Sequence, residues 1–379
     1  MRSSSPANGK LLAGSATAQG TLRYAARFRE HAASGHFREV RGGLVLSSIG
    51  IGTYLGEPDD ATDKAYAACV AAAVEGGFNV VDTAINYRFQ RSERAVGAAL
   101  QELTSKGFSR DEIVLCSKAG FLTPDGSMPG EANEYFSREF LEPGVFRAED
   151  IAAGCHCMTP SYLSDQLDRS RRNLGVECID VFYLHNPETQ LEEIPRDQFL
   201  LRLREAFAFM ESAVAGGRIN AYGLATWNAF RDEPGAKSYF SLSELAGLAG
   251  EAASGEHHFR FVQLPLNLAM PEALIRANQI VEGKTMAMVQ AARVLGITLV
   301  SSASLLQGQL TKSLPPYLGA VLGLKSDSAR ALQFARSVPG ITTILVGMSQ
   351  IAHVKTNLDL VRVEPASRDQ FLQLFQQRS

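Results

Sequence analysis

The stretch DDATDKAYAACVAAAVEGGFNVVDTAINY, residues 59–87, decides how the rest of this chain is read. Its first part carries apolar residues at helical spacing and stops at Gly76 and Gly77, the residue type that ends helices in a left-handed conformation. A short apolar run, FNVVD, then breaks on Asp82, and a tyrosine follows at position 87. Helix, glycine and a buried strand closing on an ionisable residue form one repeatable unit.

The unit recurs along the chain. SERAVGAALQEL leads to IVLCSK, and TPSYLSDQLDRSRRNLG leads to IDVFYLH; in the latter Thr159 is the expected N-cap, Pro160 the first helical residue and Gly175 the stop. LLRLREAFAFMESAVAGG precedes AYGLAT, FRFVQLP follows a further helical stretch, MAMVQAARVLG precedes ITLVSS, and DSARALQFARSVPG precedes TTILVG. With SSIGIGT as the first, these make eight strands. Near-continuous apolar strands are buried on both faces, and helical crossovers make them parallel. The pattern predicts an α/β fold, a (β/α)8 TIM barrel occupying residues 41–379 as a single domain, behind an N-terminal arm of residues 1–40 that is partly disordered with one short helix. An open doubly wound sheet is the alternative, but GIGTYLG at 50–56 has the wrong spacing for a dinucleotide-binding turn, and no phosphate-binding loop motif occurs. Residues 121–160, rich in Pro, Gly and aromatics, separate the third strand from its helix. In a barrel that insertion lies over the C-terminal face, as a lid would.

Composition narrows the partners. Apolar residues make up 45% and charged residues 20% of the 379, with a net charge of −3, values that suit a globular protein and leave no basic face for nucleic acid. No apolar run approaches the 18 residues of a membrane span. The five cysteines are odd in number and mostly in apolar contexts, which predicts free thiols in a reducing compartment, the cytoplasm. The group CHC at 155–157 lacks the fourth ligand of a closed zinc site, so no metal is expected. The first 29 residues carry no Asp or Glu, a feature shared by transit peptides and by plain disordered arms.

At the expected strand ends stand Asp82, Lys118 and His185, with Tyr87 just beyond the second strand. One such residue would be read as a helix cap or a packed polar group; four converging on one barrel mouth suit proton transfer to a carbonyl oxygen. A tyrosine with its ordinary pKa near 10 is a weak acid, and a neighbouring ammonium lowers it by stabilising the phenolate. Lys118 would supply that charge, Asp82 would hold the buried lysine charged, and His185 would hydrogen-bond and orient the substrate oxygen.

The run DTAINYRFQRSERAVGAAL (82–100), with SK at 117–118 and IDVFYLHNP at 179–187, closely resembles the aldo-keto reductase family. The resemblance extends from LVLSSIGIGTYLG to HVKTNLDL, and it maps the family's Asp, Tyr, Lys and His tetrad onto Asp82, Tyr87, Lys118 and His185. It implies an oxidoreductase moving hydride between NADP(H), in preference to NAD(H), and a small carbonyl or alcohol. A cofactor-binding regulatory subunit with little turnover is the alternative on the same barrel, and a lyase or isomerase a weaker one. Asp82, with Thr53 and Tyr54, matches the cofactor-facing positions of the first two loops, and Gln263 matches the glutamine that meets the carboxamide. Leu305 and Gln307 fall in the loop after the seventh strand, and Gly347, Ser349, His353 and Asn357 match the segment holding the adenosine end, where a helix start favours an anion. Ala225 and Thr226 stand where the family usually has Ser-Asn, and Ser302 where it usually has a large aromatic. Trp227 and Phe121 are expected to line the substrate pocket, with Tyr135, Phe136 and Phe230 as further candidates.

Overall fold

The computed structural model describes residues 11–376. Eight parallel strands close on themselves: β1 (Ile49–Gly52), β2 (Val80–Asp82), β3 (Val114–Ala119), β4 (Ile179–His185), β5 (Ile219–Ala225), β6 (Phe259–Pro265), β7 (Thr298–Ser302) and β8 (Ile341–Gly347), with β8 pairing back onto β1. Each is followed on the outside by a helix: α1 (Asp60–Glu75), α2 (Arg91–Ser105), α3 (Pro160–Leu174), α4 (Arg196–Ala215), α5 (Leu242–Ala253), α6 (Met288–Leu295), α7 (Asp327–Ser337) and α8 (Ile351–Leu358). This is the (β/α)8 barrel that the strand count predicts. The helix boundaries follow local chemistry. α3 starts at Pro160 with the Thr159 hydroxyl accepting the Tyr162 amide and stops at Gly175, φ 68°; α1 ends on Gly76 ahead of Gly77 at φ 118°.

Period-two alternation along each strand sets which residues see the barrel interior. Val80, Val114, Cys116, Val181, Tyr183, Ala221, Phe261, Val300 and Leu345 form the inner core, whereas Val81, Leu115, Phe182, Leu184, Tyr222, Leu224, Val262, Leu264 and Leu299 pack outward beneath the helices. Continuing the inward series to the strand ends brings Asp82, Lys118, His185, Ala225, Gln263 and Ser302 to one mouth. The interior is filled, not hollow. Gly223 makes room for it: a Cβ there would lie 2.2 Å from the Phe261 carbonyl oxygen and 2.9 Å from the Tyr183 ring.

The opposite end is closed by a hairpin pairing Phe37–Glu39 with Val45–Ser47, which spans residue 40. The arm before it is packed down: the helix Ala18–Arg27 buries Tyr24, and the Ala16 amide donates to Asp180 Oδ1 at 2.6 Å. The expected disorder of the arm falls, for residues 1–10, outside the described residues.

The insertion at 121–160 is zipped at its root, where the Leu122 amide donates to the Cys155 carbonyl (2.7 Å) and the Cys157 amide to that of Gly120 (2.8 Å). Its body has a small core of its own, Phe140, Phe146 and Cys157 with Tyr162 of α3. Arg202 of α4 donates to the Glu149 and Asp150 carbonyls and ties it sideways. Among the described residues no helix is long and apolar enough to cross a membrane.

Candidate active site

Lys118 is the centre of the mouth. Its ammonium is fully buried and spends its three hydrogens on Asp82 Oδ1 (2.5 Å), the Thr83 carbonyl (2.8 Å) and the Tyr87 hydroxyl (3.3 Å). Asp82 is completed by the Gln263 amide, which donates to Oδ2 at 2.8 Å. A buried charge persists only when paired and hydrogen-bonded, and here both ions are. Burial draws the lysine down, but Asp82 and Tyr87 outweigh it and hold the ammonium above its usual pKa. Burial likewise raises the Asp82 carboxyl, against the pull of Lys118 and Gln263.

Tyr87 is partly exposed, its ring edge-on to Tyr54 at 4.9 Å and to His185 at 5.8 Å. Lys118 acts downward on the phenol, the direction the sequence argument requires, but burial is the larger influence and the net position is above 10. The lysine therefore limits a rise; it does not produce a low pKa. His185 is pushed well below its ordinary value by burial, Lys118 and His156, so its imidazole is neutral at physiological pH.

The turn that returns Tyr87 over the mouth is strained. Arg88, Phe89 and Gln90 all adopt left-handed backbone, φ 47°, 57° and 72°. Each non-glycine residue there costs on the order of 1–2 kcal/mol and survives only where its surroundings enforce it. They do: Arg88 pairs with Asp63 and lies 4.8 Å over the Tyr66 ring. The Gly126 amide donates to the Phe89 carbonyl at 2.9 Å, and Asn173 donates to Gln90 Oε1 at 3.1 Å.

Around this group the other expected residues fall in different places. Thr53 is buried and structural in its contacts, donating to the Asp82 carbonyl (3.1 Å) and accepting from Ser92 (2.7 Å). Tyr54 is exposed beside Tyr87. Ala225 pairs in register with both His185 and Gln263, so the three share one level of the barrel. Thr226 is buried, and its hydroxyl oxygen has no hydrogen-bond partner; the same holds for Ser304, two residues beyond Ser302. In the loop after β7, Ala303, Leu306 and Gln307 have positive φ (54°, 46° and 52°), and Leu305 lies between them. Gly347 is exposed at the end of β8 with open space where a side chain would stand; Ser349 is partly exposed, His353 exposed on α8 and Asn357 buried beneath it.

Phe121 reaches the mouth, its ring edge-on to His185 at 5.2 Å. The Trp227 indole is exposed, and its amide donates to Glu188 Oε1 at 2.6 Å, an interaction with no signal in the sequence. A cleft of about 450 Å³ is lined by Asn186, Glu188, Trp227, Asn228 and Lys237, just beyond the ends of β4 and β5 in the chain, but by none of the strand-end residues themselves. A larger recess of about 610 Å³, lined by Arg38, Gln333 and Glu364, contains none of the strand-end residues. Phe230 does not line the mouth: it is fully buried against Phe240, ring centroids 5.9 Å apart. Tyr135 and Phe136 also face away, packed edge to face in the insertion's own core. None of these three placements is legible in the sequence, because an aromatic in a loop carries no sign of which side it buries.

His156 is the further residue that sequence reasoning missed. Within CHC, where no metal is expected, the sequence gives it no other role; among the described residues no group of three or more potential ligands is disposed to hold an ion. It is instead buried beneath His185 and donates from Nε2 to the His185 carbonyl at 2.8 Å.

The sequence signature of the Aldo/keto reductase family matches residues 48–314, which include the whole mouth except β8 and its helix. The chain belongs to the aldo/keto reductase family. It is 30% identical to a D-threo-aldose 1-dehydrogenase of a Pseudomonas species over 164 residues, 43% of this chain and 44% of the relative. It is 27% identical to an NADH-specific methylglyoxal reductase of Escherichia coli K12 over 192 residues, 49% and 50% of the two chains. It thus spans about half the length of these relatives. Among solved structures, a Klebsiella pneumoniae aldo-keto reductase in complex with NADPH superposes with TM-score 0.59 at 19% identity, covering 89% of this chain and 94% of that one. A glycerol dehydrogenase of Gluconobacter oxydans gives 0.60 at 18% identity, covering 90% and 94%. At these identities the structural likeness speaks to the fold of an aldo/keto reductase.

Proposed function

We propose that this aldo/keto reductase transfers hydride between NADP(H) and a small carbonyl or alcohol, with Tyr87 as the general acid in reduction. The observation that carries the reading is Lys118, whose one ammonium is bonded at once to Asp82 and to the Tyr87 hydroxyl. The nicotinamide, when bound, supplies the hydride to the carbonyl carbon. Tyr87 gives its proton to the oxygen, and Lys118 stabilises the phenolate left behind. A phenol pKa above 10 keeps the acid loaded at neutral pH, and a nascent alkoxide is far more basic still. Asp82 keeps Lys118 charged, and His185, neutral, orients the substrate oxygen. The mouth restores the proton from water.

The residues present suit a nicotinamide dinucleotide. Gln263 has its amide nitrogen committed to Asp82, which leaves Oε1 to accept from a carboxamide, and the partnerless Thr226 and Ser304 hydroxyls are polar groups whose burial is otherwise unexplained. Gly347, Ser349 and His353 offer an open shelf for the adenosine end, with Asn357 supporting it from below. The preference for NADP(H) is supported by the NADPH-bound Klebsiella neighbour; the NADH-specific relative argues the other way.

The rival is a nucleotide-binding subunit with little turnover, favoured by Ser302 standing in place of a stacking aromatic. Rapid mixing of the NADPH-bound protein with a panel of aldehydes, and the same with NADH, separates them. The reductase reading expects cofactor oxidation on the enzymatic scale of about 1 s⁻¹ or faster for at least one aldehyde. Tight NADPH binding with no oxidation by any aldehyde would establish the rival.

A further inference from the structure

We propose that Asn86 is a positioning residue that sets which nitrogen of His185 carries the proton. This rests on the role given to His185 above. The His185 ring packs nearly perpendicular to two aromatic rings, Tyr87 at 5.8 Å and Phe121 at 5.2 Å, which limit its freedom to turn. Its backbone is fixed as well: His156 Nδ1 lies 3.1 Å from the Gln190 amide nitrogen, which can only donate, so His156 carries its own proton on Nε2 and gives it to the His185 carbonyl at 2.8 Å. The chain makes no room for an alternative, because Gly120 packs against that ring where a Cβ would come within 2.5 Å of Nε2.

With ring and backbone held, the remaining choice is the tautomer. Asn86 Oδ1 lies 3.2 Å from His185 Nδ1. A neutral imidazole has one donor and one acceptor, so an amide oxygen at Nδ1 places the proton there and leaves Nε2 as a lone pair. Such a ring accepts a hydrogen bond from a hydroxyl. Turning the amide end for end offers Nδ2–H to Nδ1, moves the ring proton to Nε2 and lets the ring donate to a carbonyl oxygen. An amide can serve both partners of a reversible carbonyl–alcohol reaction; an aspartate facing a neutral ring could serve only the alcohol, and a hydrocarbon neither. The charged or titratable groups around the ring are Lys118 of β3 with Asp82 behind it, Tyr87 of the same loop, and His156 of the insertion root.

Long-range proton–nitrogen correlation spectra of the histidine rings, recorded on the cofactor-free protein at pH 7, test this directly. In the wild type His185 is expected to be protonated on Nδ1 alone. In Asn86→Leu that preference is lost, and in Asn86→Asp the added carboxylate raises the imidazolium titration by at least about one pH unit. Both variants are expected to lose about threefold to tenfold in kcat/KM for carbonyl reduction, the worth of one hydrogen bond, with NADPH affinity unchanged. An unaltered tautomer in Asn86→Leu would overturn the proposal, and a fully active Asn86→Asp would show that the N–H end of the amide is not used. The spectra need no turnover, so they stand or fall independently of the reductase assignment.

Discussion

Removing either partner of the Asp82–Lys118 pair should destabilise the barrel, and the two losses should respond to pH with opposite sign. Both groups are buried, Lys118 completely and Asp82 to 3% exposure. In Lys118→Met the carboxylate is left without its cation, and its cheapest escape is to take up a proton. From a reference pKa near 3.9, neutralising it at pH 7 costs about 4 kcal/mol, at about 1.4 kcal/mol per unit. The folded carboxyl pKa is then raised far above its unfolded value, so the folded state binds the extra proton and the penalty shrinks as pH falls. In Asp82→Asn the stranded lysine must lose its proton, which from about 10.4 costs about 4.6 kcal/mol at pH 7. Here the folded pKa is depressed, the unfolded state binds the extra proton, and the penalty shrinks as pH rises. Urea unfolding followed by circular dichroism at pH 6, 7 and 8 should give slopes of about 1.4 kcal/mol per pH unit, downward with pH for Lys118→Met and upward for Asp82→Asn. The double variant, with neither charge, should lose less than either single variant. Parallel slopes, or additive losses in the double variant, would show that the pair is solvated and refute the reasoning.

Three further outcomes follow from particular contacts. Thr226→Val should stabilise the cofactor-free protein by about 1 kcal/mol, because it removes a buried hydroxyl that has no partner, and should weaken NADPH about threefold to tenfold in a fluorescence titration; equal affinity would remove Thr226 from the cofactor site. Gly223→Ala should destabilise by about 1–3 kcal/mol or more in thermal unfolding, since its Cβ meets backbone that cannot step aside. The kcat/KM of reduction should run level through neutral pH with no step near 6.5 from His185, and fall only as pH rises through the elevated Tyr87 pKa; a step near 6.5 abolished by His185→Gln would contradict a neutral imidazole.

Much of this was legible before any coordinate. Eight apolar strands with helical crossovers specify a barrel, and alternation alone turns Asp82, Lys118, His185 and Gln263 inward once the strand ends are known. What the sequence hid are the contacts made by chain reversal and by insertion. Nothing in RFQ at 88–90 announces three left-handed residues in succession, since only glycine signals such backbone by its identity. Asn86, inside the motif itself, reads as a spacer until His185, 99 positions away, is placed beside it. His156 was obscured by its cysteine neighbours, and Phe230 by the general inability of a loop aromatic to reveal which side it buries. The net position of the Tyr87 pKa was hidden for a related reason: a nearby ammonium that acts downward can be inferred from a motif, whereas the desolvation that outweighs it belongs to the packed structure.

The most direct measurement is a single-turnover oxidation of bound NADPH in Tyr87→Phe beside the wild type, with the best aldehyde substrate. The account predicts unchanged NADPH affinity and a rate lower by about 10² to 10⁴, the usual worth of a general acid. Retention of the wild-type rate would mean that the proton comes from elsewhere, and would contradict the assignment of this mouth around Tyr87 and Lys118.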